Sequence, residues 1–264
     1  FIMPLSSFPN GFNGGVSVRG MPLTQVFATS YGPANQDKPG VWWVDSVNGS
    51  GNDGTYTQPL ASLARALALA KAYDVVIMKP GHTESVSTAT AASGAWSIAG
   101  LQIIGLGVGG QRPTITLDTN ATATITVSAA NVSVSNVLFI ANKVDTASCF
   151  TLTTANDFVV DNCEFRDTSA ILNFLAIVTT SGTTAQADGL TFTNNKVLSS
   201  GTTAATTVLK AVGTNARWTI NRNILFGAVL DNTAFLIAQT AGKALTTLEC
   251  GWNIVHRPNA DTAT

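Results

Sequence analysis

Apolar and polar positions alternate in short bursts along most of this chain, and the bursts recur. The segments LQIIGLG (101–107), VSVSNVLF (132–139), FVVDNCEF (158–165), LTFTNNKVL (190–198), WTINRNILF (218–226) and LECGWNIVH (248–256) share one plan. Two apolar residues stand one apart, a small or polar turn follows, and a second apolar stretch closes the unit. Gly105, Asn136, Asn162, Asn195, Asn223 and Asn253 mark the turns, at spacings of 31, 26, 33, 28 and 30 residues. The mark wobbles by one: the Asn is fifth in the second and third copies and sixth in the last three. Further alternating runs, TITL (114–117), TITV (124–127), FTL (150–152) and TVLKAV (207–212), lie between the marks.

A period near thirty, built of two or three short strands, is the signature of a coil whose successive turns stack. Inward Val, Ile, Leu and Phe would then pile on their equivalents one turn away, with Val134, Val160, Phe192 and Ile220 in one column. Asn side chains at the corners would form a ladder that satisfies backbone groups the bend removes from the sheets. The expected fold class is all-β: a single-stranded right-handed parallel β-helix with an N-terminal extended arm and a capping α-helix.

Three zones follow, residues 1–40, 41–84 and 85–264, the last holding about six coils. In the middle zone Val41 to Asp45 reads as a strand and Asn48 to Gly54 as a tight loop. Thr57 is the expected helix N-cap with Pro59 in the first turn, and Leu60, Leu63, Ala64, Leu67 and Ala70 make one apolar stripe. Val75 to Met78 reads as a buried strand closed by Pro80-Gly81. The helix would cover the open end of the stack. The first zone has Pro4, Pro9, Pro22, Pro33 and Pro39 among many glycines, so it holds no period. It still carries Phe1, Leu5, Phe8, Phe12, Val16, Leu23, Phe27 and Tyr31, with Arg19 among them. An arm so rich in aromatics needs somewhere to bury them, here expected on a partner.

Composition sharpens this. Hydrophobic residues are 45% and charged residues 11% of 264, with a formal net charge of −1. Ordinary soluble domains carry roughly 25% charged residues. Neutral Thr, Ser, Asn and Gly replace the charge, which suits a surface covered by neighbours. Neither nucleic acid nor an anionic membrane would be captured electrostatically. No apolar run approaches the ~20 residues of a membrane-spanning helix. Cys149, Cys163 and Cys250 are odd in number and lack metal-ligand spacing. With no secretory pattern at the start, assembly in a reducing cytoplasm is expected.

Candidate chemistry is sparse. Asp157, Asp161, Glu164 and Asp167 form the one dense acidic stretch, with Arg166 beside them. Asp161, Glu164 and Asp167 offer a glycan-binding ledge, against a plainer reading as a solvated corner with local charge balance. His82 and His256 fall at opposite ends of the stack and cannot share a metal or a triad. Gly49 to Asp53 is half of a calcium-binding repeat and occurs once; Gly105 to Gly110 lacks the Lys-Ser/Thr of a phosphate loop. No catalytic residue, metal or cofactor is expected. Trp42, Trp43 and Trp252 are expected at contacts with other copies.

WVDSVNGSGNDGTYTQPLASLARALALA and DVVIMKPGHTE resemble the opening of pectin-lyase-like β-helix proteins: strand, glycine-rich loop, capping helix and a strand with Pro80-Gly81-His82-Thr83-Glu84. The resemblance covers about residues 41–256 and implies fold far more than activity. That family's galacturonan-hydrolase motifs have no counterpart here. The arm MPLSSFPNGFNGGVSVRGMPL (3–23) resembles leaders of β-helix proteins of tailed bacteriophages. The resemblance implies a structural protein on the virion's capsid surface, decorating or cementing the shell through its arm as a homotrimer, with the major capsid protein or other virion subunits as partners. Alternatives are a carbohydrate-binding or depolymerising tail-spike-like β-helix, or a tail or baseplate fibre component.

Overall fold

The computed structural model describes residues 40–49, 53–182, 184–200, 207–227 and 236–256, and the backbone of 17–18 and 21–22. Three parallel sheets run along the coil. The first is ordered Val41–Val44, Val75–Met78, Gln102–Gly105, Ser133–Ser135, Val159–Asp161, Thr191–Thr193, Asn215–Asn221, Leu245–Gly251. The second runs Thr83–Val86, Thr114–Leu117, Leu138–Ala141, Glu164–Asp167, Lys196–Leu198, Ile224–Phe226, Ile254–His256. The third holds Ala95–Trp96, Ile125–Val127, Phe150–Leu152, Ala176–Thr180, Thr207–Ala211 and Ile237–Gln239. The chain visits the sheets in that order, turn after turn. Seven turns result, because Val75–Met78 and Thr83–Val86 form one ahead of the six marked corners.

Register explains the period. Val76, Ile103, Val134, Val160, Phe192 and Ile220 are successive Cα partners, and all are fully buried. A second column is Ile115, Phe139, Phe165, Val197 and Leu225. Phe139 and Phe165 stack at 5.2 Å with 12° between their planes, and Phe150 meets Phe139 edge-on at 5.0 Å. Each such ring removed from water contributes on the order of 1.5–3 kcal/mol.

The wobbling Asn resolves into two adjacent columns rather than one ladder. Asn136, Asn162, Asn194, Arg222 and Trp252 share a left-handed corner conformation, φ between 51° and 57°. Asn tolerates that region because its short amide bonds locally. The next residue along forms an inner ladder. Cys163 N–H donates to Asn195 Oδ1 at 2.8 Å, Asn195 N–H to Asn223 Oδ1 at 2.9 Å, and Asn223 N–H to Asn253 Oδ1 at 3.0 Å. Their amides donate back to Val160, Phe192 and Ile220 carbonyls. Asn195 and Asn223 are buried, so these bonds replace water the corner has excluded.

The cap differs from expectation at one point. Helix α1 spans Leu63–Leu69 and is capped by Ser62, whose Oγ accepts from Arg65 N–H; Thr57 and Pro59 lie outside it. Leu60 is instead extended: its N–H donates to Trp43 O and its C=O accepts from Asp45 N–H. Backbone groups already paired to a strand cannot open a helix. Leu63 and Ala66 are the buried helical positions, where the stripe had named Ala64. Ser17–Val18 pairs antiparallel with Met21–Pro22. The arm residues Phe1, Leu5, Phe8, Phe12, Val16, Arg19, Leu23, Phe27 and Tyr31 lie outside the described residues.

Candidate functional site

The acidic ledge sits where the fourth turn passes from Val159–Asp161 to Glu164–Asp167. Val160 and Phe165 point inward, and alternation turns their neighbours toward the corner and the outer face. Each candidate carboxylate has its own set of internal donors. Asp161 Oδ1 accepts from Thr193 Oγ1 at 2.7 Å and Asn194 Nδ2 at 2.6 Å, both in the next turn. Asp167 Oδ1 accepts from Phe174 N–H at 3.0 Å, and Oδ2 from Ser199 Oγ at 3.0 Å and Ser200 N–H at 2.8 Å. It therefore ties its own turn to the one below.

Glu164 is nearly buried and is the centre of a cation cluster. Arg166 Nε lies 2.6 Å and Lys196 Nζ 3.6 Å from Oε1, and Arg112 Nη1 lies 3.4 Å from Oε2. The expected balance with Arg166 is present. Arg112 was not legible, because it stands 52 residues earlier and reaches across the intervening turn. Only knowledge of the coil register would have pointed to it. Chemically, a carboxylate already surrounded by three cations is an ion-pair hub rather than a free base.

The other candidates separate along the coil. His82 adjoins the first strand of the second sheet and His256 ends its last, six rungs or roughly 29 Å away. His82 is fully buried and staples the cap. Its Nδ1 accepts from Ser46 N–H at 2.9 Å, while Glu84 Oε2 accepts from Leu63 N–H at 2.7 Å at the start of α1. The Pro80-Gly81-His82-Thr83-Glu84 motif thus has an architectural role in this chain.

The tryptophans divide as alternation requires. Trp42 leans on the main core, its indole N–H donating to Asp74 Oδ2 at 2.9 Å. Trp43 faces the other way, packs with Val75 and Ile77, and meets Tyr56 edge-on at 4.9 Å. Trp252 is 87% exposed. Residues 50–52 of the half calcium motif lie outside the described residues; among those described, no three His, Cys, Asp or Glu side chains group as a metal site.

No protein-family profile matches the chain, and no curated protein matches it. A solved structure titled "Rhamnogalacturonan lyase" aligns over 80% of this chain and 62% of its own, with a TM-score of 0.41 and 14% identity. The chain therefore spans less than two thirds of that protein's length. So slight a likeness transfers no activity. The three sheets and their register by themselves make this chain an all-β parallel β-solenoid.

Proposed function

We propose that this chain is a structural protein of a tailed-phage virion, a rigid pillar that decorates or cements the capsid through residues 1–40 and self-associates as a trimer. One observation carries the non-catalytic part of this reading: Asp161 and Asp167 by hydrogen bonds, and Glu164 by its ion pair with Lys196, are all engaged with the next turn of the coil. The arm's resemblance to phage leaders and its aromatic content support attachment by that segment. Pillar mechanics would follow from the solenoid, in which the first six turns are bonded to one another along three sheets and the seventh, among the described residues, along two.

The test is fractionation of purified particles. Full-length chain should copurify with capsids emptied of their tails, and a chain lacking residues 1–30 should be lost from them. Recovery only with tails, or undiminished capsid binding without the arm, would overturn the reading.

A further inference from the structure

The two ends of the coil are finished differently. At the first end the free edge of Val41–Val44 is taken: Leu60 N–H donates to Trp43 O, Asp45 N–H donates to Leu60 O, and Leu63 and Ala66 of α1 are buried in the core. At the last end Leu245–Gly251 and Ile254–His256 are the outermost strands of their sheets. Backbone edges left open in this way accept further strands.

Three inward columns stop bare at this turn. Trp218, Ile220 and Leu225 of the sixth turn are fully buried, with Leu248, Cys250 and Val255 as their partners in the seventh. Leu248 is 43% and Val255 48% exposed, and Cys250 is exposed as well. Hydrogen bonding stops at the same place. Arg222 N–H donates to Gly251 O at 3.2 Å, and Asn223 N–H to Asn253 Oδ1 at 3.0 Å. Trp252 and Asn253 hold those positions one turn on, and among the described residues their N–H groups have no acceptor.

The coil itself shows what fits such an edge, because each earlier turn is covered by a parallel strand, corner and strand. Over Leu248, Cys250, Asn253 and Val255 the matching segment reads apolar-x-apolar-x-x-Asn-x-apolar. Leu190 to Val197, Trp218 to Leu225 and Leu248 to Val255 all have this form, with Cys250 as a small apolar member. Residues 1–39, 228–235 and 257–264 contain no such segment. A second copy fits poorly. Its first end has the strand edge occupied by Leu60, and an end-to-end pair would run the strands antiparallel, which breaks an amide ladder built on parallel register.

We infer that the last turn is a docking edge for an extended segment of another protein, laid parallel to Leu245–Gly251 as a further turn. Its apolar side chains cover Leu248, Cys250 and Val255, and its Asn accepts from Asn253 N–H. Main-chain bonds along the edge supply affinity, and the inward pockets supply selectivity. The edge lies at the end of the coil opposite residue 40, so it is free to bind whether or not residues 1–40 attach to a capsid.

A labelled peptide with the sequence of residues 215–227 is the probe, titrated into the full chain and followed by fluorescence anisotropy and by alkylation of Cys250. Cys149 and Cys163 are buried and do not compete. Saturable one-to-one binding is expected, with Cys250 alkylation slowed about tenfold at saturation. Ile220→Asp in the peptide should abolish binding, and Thr219→Asp, on the outward side, should leave it intact. Leu248→Asp/Val255→Asp in the chain should lose the peptide with unchanged far-UV circular dichroism. Since that variant could fold poorly, wild type alkylated at Cys250 beforehand serves as a second test and should lose the peptide too. Absence of saturable binding, equal binding of the two variant peptides, or unchanged alkylation would each overturn the assignment. So would a Cys250 already protected in the full chain before peptide is added: release on dilution would give the edge to a second copy, and release on deleting residues 1–30 would give it to the arm.

Discussion

Asp157 and Arg217 form an ion pair across a whole turn of the coil, Oδ1 to Nη1 3.6 Å, through the gap left by Gly189. The three residues occupy successive turns of one corner column, and all have positive φ. A Cβ on Gly189 would lie 2.0 Å from Asp157 Oδ1. Glycine is favoured here by its φ of +77° and required by the carboxylate above it.

Gly189→Ala should therefore lower stability by at least ~1–2 kcal/mol, a fall of roughly 2–8 °C in melting temperature. Adding Asp157→Ala should recover the steric part and leave the backbone part. No recovery in the double variant, measured by thermal denaturation, would place the cost elsewhere.

Trp252 holds the same left-handed corner that Asn fills three turns in succession, and it does so at φ +57° and 87% exposure. Trp252→Asn should raise stability by about 0.5–1 kcal/mol, since strain is relieved and little burial is lost. Chemical denaturation with an unchanged m-value would measure it; a loss of stability would show that Trp252 packs on something.

The inner ladder predicts the opposite sign. Asn223→Ala strands the Asn195 N–H and the Phe192 carbonyl inside the coil. Each buried group left unpaired costs about 1–3 kcal/mol, so a loss of ~2–6 kcal/mol is expected. Denaturant melts of Asn223→Ala and of the solvent-side variant Asn162→Ala should differ sharply; equal effects would contradict the two-column account.

Titration should be seen at both ends of the pH scale. Burial raises the Cys163 thiol to about 12, with the Val137 and Asn136 N–H groups and Arg112 opposing, and burial raises Cys149 well above its usual value. A thiol with a raised pKa adds stability below its unfolded value, near 9.0, and loses it as pH climbs past that point. Native protein should label at exposed Cys250 alone, with Cys149 and Cys163 reacting on unfolding. Fast native labelling of all three would refute the buried assignment.

Asp45 works in the other direction. Burial alone would raise its carboxyl, but the N–H groups of Asn48 and Val47, the Asn48 amide and Lys79 outweigh it and lower the pKa from 3.8. Its stabilising effect is full above that unfolded value and fades as pH falls through the lower folded one. Acid titration of Trp42 and Trp43 fluorescence should lose part of its slope in Asp45→Asn; an identical curve would contradict the assignment.

What was legible in the sequence was whatever repeats. Val134, Val160, Phe192 and Ile220 could be placed in one column because a coil makes the same demand every turn. The helix start was missed because Leu60 satisfies a helical stripe and a strand bridge equally well, and only the partner strand decides between them. Two Asn columns looked like one wobbling ladder because, in unbroken register, the marked Asn fills the outer position at 136 and 162 and the inner one at 195, 223 and 253. The second left-handed column, Tyr73, Gly100, Asn131, Asp157, Gly189, Arg217 and Thr247, was hidden by its mixed composition. On the acidic ledge, Asp161 and Glu164 were visible as charges. Their donors Thr193, Asn194 and Arg112 were not, being one or two turns away along the axis.

Asp161, Glu164 and Asp167 act as girders of the coil or as reagents. The direct measurement pairs thermal stability with polysaccharide depolymerisation for wild type and the Asp161→Ala/Glu164→Ala/Asp167→Ala variant. A melting temperature several degrees lower in the variant, with no turnover by either chain, is the expected result. Turnover by wild type that vanishes in an equally stable variant would contradict it.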